Sequence, residues 1–152
     1  MKKENEYIVP RFAEKEILMH LEGFSVTRAC LPQRGNYPPA VNLTVKNPNG
    51  ICDLAIWLDD HFTVNFSEYI GSFAPNMQEF EAFLNTLDAL LSGSTGVLSI
   101  VAQQIYGIIW QGEMPKDISA VDETIPMDEI FCMLEYFGKG KYTASHVRRI
   151  PA

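Results

Sequence analysis

Only one short segment of this chain gathers consecutive titratable side chains of the kinds that enzymes use. Asp59, Asp60 and His61 are adjacent, and two carboxylates beside an imidazole can supply metal ligands or a general acid–base pair. The same residues suit a charged turn, and we favour that interpretation because alternating strand-like sequences flank them. The competing hypothesis is a small hydrolase-like enzyme or small-ligand-binding protein that uses this turn, with the loop at residues 32–39 lining its pocket.

The other residues that carry chemistry are scattered along the chain. His20 and His146 are far from His61 in sequence, and no paired Cys/His spacing typical of a metal site occurs. The cysteines are odd in number and widely separated, which predicts buried free thiols rather than a disulfide framework: they are Cys30, Cys52 and Cys132. The sequence contains neither a glycine-rich phosphate loop nor a nucleophile elbow. We therefore predict no catalytic residue, no metal site and no cofactor.

Composition and charge narrow the class of partner. The chain has 152 residues, of which 47% are hydrophobic, and a formal net charge of −7. Binding to nucleic acid or to anionic lipid depends on clustered lysine and arginine, so neither is an expected partner. No apolar run approaches the roughly 18 residues of a membrane helix, and no apolar segment follows the charged N-terminus as in a signal peptide. We expect one globular domain over residues 1–152, located in the cytoplasm.

The acidic residues are concentrated late in the chain. Seven acids and a single base, Lys116, occur between Glu113 and Glu135. Such a run is usually a solvated face, but clustered carboxylates also accelerate encounter with a basic protein. The residues predicted to bind a partner are Trp57, Glu113, Asp117, Asp122, Glu123, Asp128 and Glu129.

The hydrophobic periodicity predicts an α+β fold. Strands are expected where apolar residues alternate or form short runs, at residues 24–31, 41–45, 51–58, 62–66, 97–103 and 106–111. Helices are expected from Pro10 to Gly23, from the Asn76 cap to Gly93, and from Pro126 to Gly138. Residues 142–150 suit an edge strand or a loose tail. The result is an antiparallel sheet of about five or six strands, a meander plus a hairpin, with about three helices packed on it.

Trp57 stands out on this predicted sheet. It shares strand parity with Asp53 and Asp59, whereas Leu54 and Ile56 point to the opposite face. If the helices cover only one face, Trp57 lies on the open face, where a large aromatic among polar neighbours suits a binding anchor. The alternative is that Trp57 packs beneath a loop or the final helix.

The order of the central elements resembles that of small immunity proteins of bacterial polymorphic-toxin systems of the contact-dependent inhibition type. The resemblance covers about residues 40–112: the strand pair from Asp53 to Phe66, the acidic amphipathic helix that ends at Gly93, and the hairpin from Val97 to Trp110. It implies a non-enzymatic protein that binds and neutralises a cognate toxin domain, for example a basic nuclease. A third hypothesis is a structural subunit that forms a homodimer through an exposed sheet face.

Overall fold

The computed structural model describes residues 7–32, 35, 39–48, 52–101, 105–112, 114, 129–138 and 142–148, with backbone only at 129, 130 and 142–148. These residues form an α+β fold with two helices and nine strands. The elements are α1 Pro10–His20, β1 Val26–Leu31, β2 Ala40–Val45, β3 Leu54–Leu58, β4 Phe62–Phe66, β5 Tyr69–Phe73, α2 Met77–Leu91, β6 Gly96–Val101, β7 Ile105–Trp110, β8 Glu129–Glu135 and β9 Tyr142–Arg148. Neither helix is long and apolar enough to cross a membrane.

The first sheet is an antiparallel meander in the order β1-β2-β3-β4-β5. In β3 and β4 every second residue is buried, as the alternation in the sequence predicted. The buried positions, which include Leu43, Ile56 and Val64, share one core with Ile17 of α1 and Leu87 of α2. Both helices therefore pack on the same face of this sheet.

Helix α2 begins and ends where the sequence predicted. The Asn76 side chain accepts a hydrogen bond from the Glu79 N–H at 2.9 Å, which satisfies one of the free donors in the first turn. Phe80 and Phe83 of its buried stripe contact Phe62 of β4, with ring centroids 5.7 and 6.3 Å apart. These edge-on contacts fix the helix on the sheet.

The second sheet has four antiparallel strands in the order β7-β6-β8-β9. One side of it meets the turn between β4 and β5: Ser99 Oγ lies 3.4 Å from Ser67 Oγ, and Gly107 lies against the Glu68 backbone. Val97 and Phe137 join the main core, while Leu98, Ile100, Cys132 and Leu134 form a smaller cluster on the other side.

The predicted final helix is wrong, because residues 129–135 form strand β8. Ile130, Phe131, Leu134 and Phe137 fit helical spacing, but Cys132 and Leu134 also alternate as strand residues do, and both are buried. Strand β6 is buried along most of its length, and its backbone needs a hydrogen-bonding partner on each edge. Pairing with β8 on one side and β7 on the other supplies them. Pro126 lies outside the described residues.

The sequence predicted a single sheet of about five or six strands, whereas the structure has two separate antiparallel sheets. Strand β5 was not predicted, since its sequence of five residues contains Gly71 and lacks an apolar alternation. Residues 142–148 are a strand, one of the two alternatives, paired with β8 over seven residues. Among the described residues there are two helices rather than three.

Candidate binding surface

The turn at Asp59, Asp60 and His61 lies on the surface. Asp59 Oδ1 accepts a hydrogen bond from the His61 N–H at 3.0 Å, the local side-chain-to-backbone pattern that aspartate commonly makes in turns. His61 Nδ1 is 3.7 Å from Asp60 Oδ1, with both side chains more than half exposed. No group of three or more His, Cys, Asp or Glu side chains in the described part of the chain is arranged to hold a metal ion. The geometry of these three residues is that of a solvated turn.

A mostly apolar cleft of about 400 Å³ lies between α1 and the β1–β2 pair. Its lining includes Cys30 and Pro39, which ends the loop that the enzyme hypothesis placed beside a pocket. Arg28 and Glu14 also line it, and Arg28 donates from Nε and Nη2 to the two Glu14 carboxylate oxygens at 2.7 and 3.1 Å. Glu14 raises the pKa of Arg28. The Asp59–His61 turn is not part of this cleft, and Arg34 and Tyr37 lie outside the described residues.

The three cysteines have different environments, and the prediction that all are buried is wrong for Cys30. Cys30 is exposed on β1, whereas Cys132 is buried in the smaller core. Cys52 is half-buried, and its Sγ donates to Glu135 Oε2 at 3.5 Å. Burial, followed by the Glu135 charge, raises the pKa of Cys52 to about 11, and burial raises the pKa of Cys132 to about 11. Both are therefore protonated at neutral pH and are poor nucleophiles.

These thiols predict a loss of stability at alkaline pH. A folded-state pKa raised from 9.0 to about 11 means that the unfolded chain releases these protons first, so the free energy of unfolding falls as pH rises from 9 towards 11. Urea unfolding at pH 8, 9 and 10 measures this. The Cys52→Ala variant should show a shallower decline than the parent protein. An equal decline in both would contradict the role of Cys52.

The face of the first sheet opposite the helices carries small polar side chains around one tryptophan. Strand register aligns two rows across it: Ala29, Asn42, Trp57, Thr63 and Ser72 form one, and Thr27, Thr44, Ala55, Asn65 and Ile70 form the other. Neither described helix packs here. We call this surface the open face, and the prediction that Trp57 lies on such a face agrees with the register.

Trp57 is half-buried at the centre of the open face. Asn42 beside it is held in place, because its Nδ2 donates to the Ile56 carbonyl at 3.2 Å and its Oδ1 accepts from Thr44 Oγ1 at 3.1 Å. Two exposed apolar residues lie at the margins of this face: Leu31, 40% exposed, stands beyond the first row on β1, and Ile70, 69% exposed, ends the second row on β5. A tryptophan beside ordered polar side chains is a candidate anchor for a protein partner.

The described residues include only a small part of the predicted acidic surface. Glu129 begins β8, with only its backbone described, and the other predicted acids, Glu113, Asp117, Asp122, Glu123 and Asp128, lie outside the described residues. Glu135, counted in the same acidic stretch, is only 8% exposed and faces Cys52 rather than solvent. The charge pattern could not reveal this, because a run of acids gives no sign of which member turns inward.

A buried polar junction between the two sheets was not predicted. Asn47, 4% exposed, donates from Nδ2 to the Cys52 carbonyl at 3.0 Å and accepts at Oδ1 from the Gly138 N–H at 2.7 Å. The sequence around it, Asn-Pro-Asn-Gly, indicated only a turn. This junction holds the β2–β3 connection against the end of β8. No protein-family model, no curated protein and no solved structure matches this chain.

Proposed function

We propose that this chain is a non-enzymatic protein-binding protein, and that it acts as an immunity protein which binds and neutralises a cognate bacterial toxin domain. The open face centred on Trp57 is the observation that carries the proposal. The helices occupy one side of the first sheet, whereas the open face presents ordered polar side chains and a half-buried tryptophan. Tryptophan is among the residues that contribute most to binding at protein interfaces.

Net charge supports a basic partner. The chain carries 19 acidic and 12 basic residues, so a toxin domain with a positive surface, such as a nuclease, is attracted over the last nanometre of approach. The cytoplasm is the compartment in which such a toxin would be neutralised. The acids predicted to take part, in addition to Trp57, are Glu113, Asp117, Asp122, Glu123, Asp128 and Glu129.

The enzyme and small-ligand hypothesis receives less support. His61, Asp59 and Asp60 form an exposed turn, and catalytic groups are expected to converge on a concave, water-excluding site. The cleft beside α1 contains one ion pair, and each partner already satisfies the other there. That arrangement positions neither charge for an incoming substrate.

Calorimetric titration against a purified toxin domain encoded next to this gene tests the proposal. We expect the parent chain to bind and to block the toxin's activity, and the Trp57→Ala variant to bind about thirtyfold more weakly, the loss of roughly 2 kcal/mol typical of a central aromatic anchor. Ser72→Ala, at the edge of the same row, is the matched control and should bind as the parent does. Equal affinity of the Trp57→Ala variant would remove the open face from the interface.

A further inference from the structure

Strand β1 is the exposed edge of the first sheet. Within the described part of the chain it pairs with β2 on one side and with no strand on the other, and five of its six residues are exposed. The opposite edge differs, because β5 contacts β7 of the second sheet. A strand edge carries a row of unpaired N–H and C=O groups that can pair with another strand.

Within its own six residues, β1 carries only one of the devices that prevent edge pairing, a charged side chain. Proline, lysine and a β-bulge protect edges in soluble proteins, whereas β1 has the sequence VTRACL and pairs with β2 in six consecutive positions without interruption. Its single charged residue, Arg28, is tied back to α1 by two hydrogen bonds to Glu14. Among the residues that the structure describes, no strand pairs with this edge.

The first hydrogen bond between β1 and β2 shows which backbone groups of β1 point towards β2 and which point outward. The Lys46 N–H donates to the Ser25 carbonyl at 2.9 Å, so residue 25 belongs to a hydrogen-bonded pair. Such pairs recur every two residues, which directs the backbone groups of residues 27, 29 and 31 towards β2. The N–H and C=O groups of Val26, Arg28 and Cys30 then point outward from the edge.

We propose that β1 pairs antiparallel with β1 of a second copy of this chain, with Ala29 on the two-fold axis. Two-fold pairing must bring outward-pointing residues opposite each other. Centring the axis on Arg28 opposes two like charges, which is destabilising. Centring it on Cys30 places each Arg28 opposite Pro32, which has no N–H, and so removes hydrogen bonds next to the centre of the ladder. Of the two registers that remain, centred on Thr27 or on Ala29, the second brings the smaller side chains together at the axis. It pairs each Arg28 with the Cys30 of the other copy and leaves Pro32 at the ends of the ladder, opposite Val26.

Charge favours a second copy at this place. The molecule has a net charge of −7, so two copies repel unless they meet where carboxylates are absent or neutralised. Residues 24–52 contain no aspartate or glutamate, and Glu14, which lies beside the edge, is neutralised by Arg28 within each copy. The apolar cleft lined by Arg28 and Cys30 opens on this edge, and the second copy's Arg28 and Cys30 would cover it.

The dimer joins the two open faces into one. The row that contains Trp57 reaches the edge at Ala29 through Asn42, so two copies would place their tryptophans about 24 Å apart on a continuous ten-stranded sheet, given a strand spacing of roughly 4.8 Å. This inference does not depend on the identity of the protein that the open face binds.

Disulfide trapping in a Cys30→Ser background tests the register. Ala29→Cys should give a disulfide-linked dimer under mild oxidation, because opposed residues of this kind of pair have Cα atoms about 4.5 Å apart. Thr27→Cys, on the same face of the same strand, is the control: its two copies would lie about 14 Å apart, beyond the roughly 7 Å that a disulfide spans, so we expect no disulfide-linked dimer.

Light scattering on the full-length parent chain measures the mass before oxidation, and we expect a dimer that dissociates on dilution. Three results would overturn the proposal: a monomer at every concentration, which would leave the edge to a strand of another protein; equal trapping of both variants; or a dimer in which Ala29→Cys is not trapped.

Discussion

Replacing Asn47 with alanine is expected to lower the free energy of unfolding by about 3 kcal/mol. Each hydrogen bond whose loss leaves a buried polar group without its partner costs about 1–3 kcal/mol. Asn47 is 4% exposed. Its side-chain amide donates a hydrogen bond to the Cys52 carbonyl and accepts one from the Gly138 N–H. The effect is large because both bonds are buried and one of them joins Asn47 to a residue 91 positions further along the chain, and alanine can make neither bond.

The control for this effect is Asn42→Ala. Asn42 also donates from its amide to a backbone carbonyl, that of Ile56, at 3.2 Å, but unlike Asn47 it is only partly buried, on the open face. Water can replace the lost bond, so we expect a cost of less than about 1 kcal/mol. Urea unfolding followed by circular dichroism measures both variants. Equal costs at the two positions would show that Asn47 does not join the sheets.

Replacing Gly107 with alanine is expected to destabilise the protein by about 3 kcal/mol, the upper end of the usual cost of overpacking. A Cβ at this position in β7 would clash with the carbonyl group of Glu68 and the Tyr69 nitrogen. These atoms belong to the backbone and cannot rotate away. In an unobstructed strand the same change would stabilise the fold by roughly 0.5–1 kcal/mol. The sign of the change in stability therefore shows whether the backbone of the β4–β5 turn lies against Gly107.

Gly71→Ala provides the matched comparison. A Cβ at Gly71 in β5 would meet the Tyr69 ring and hydroxyl, and this side chain can shift. We expect a smaller loss of stability than at Gly107, measured by thermal unfolding under identical conditions. If Gly107→Ala were neutral or stabilising, the second sheet would not approach the β4–β5 turn as closely as the structure places it.

Local patterns predicted the parts of the fold that depend on local physics. The Asn76 cap and the extent of α2 were correct because capping and helical periodicity act within a few residues. The alternation in β2 and β4 was correct for the same reason. Trp57 was placed on the open face by strand parity alone, since parity follows from the period of two residues in a strand.

The parts that failed depend on distant partners. Residues 129–135 satisfy both helical and strand spacing, and only the pairing of β8 with β6 decides between them. Glu135 belongs to an acidic stretch in sequence, but in the structure its carboxylate is buried and accepts a hydrogen bond from the Cys52 thiol. Asn47 gave the signal of a turn residue, and the Gly138 N–H that makes it a buried link lies far along the chain. Tertiary contacts of this kind leave no local pattern.

The edge proposal and the open-face proposal make separable demands on the molecule. Pairing through β1 uses backbone groups of Arg28 and Cys30, whereas recognition by the open face uses the side chain of Trp57. A variant that loses one property should therefore keep the other. Trp57→Ala is expected to leave the dimer unchanged, because Trp57 lies on β3, two strands away from the edge.

The fluorescence of Trp57 in a complex tests the central claim most directly. In a Trp110→Phe variant Trp57 is the only tryptophan, since the chain has two. On addition of the cognate toxin domain we predict a shift of its emission to shorter wavelength and protection from acrylamide quenching, because the partner would remove water from the exposed part of the indole. A stable complex in which both the emission and the quenching of Trp57 stay unchanged would contradict recognition through the open face.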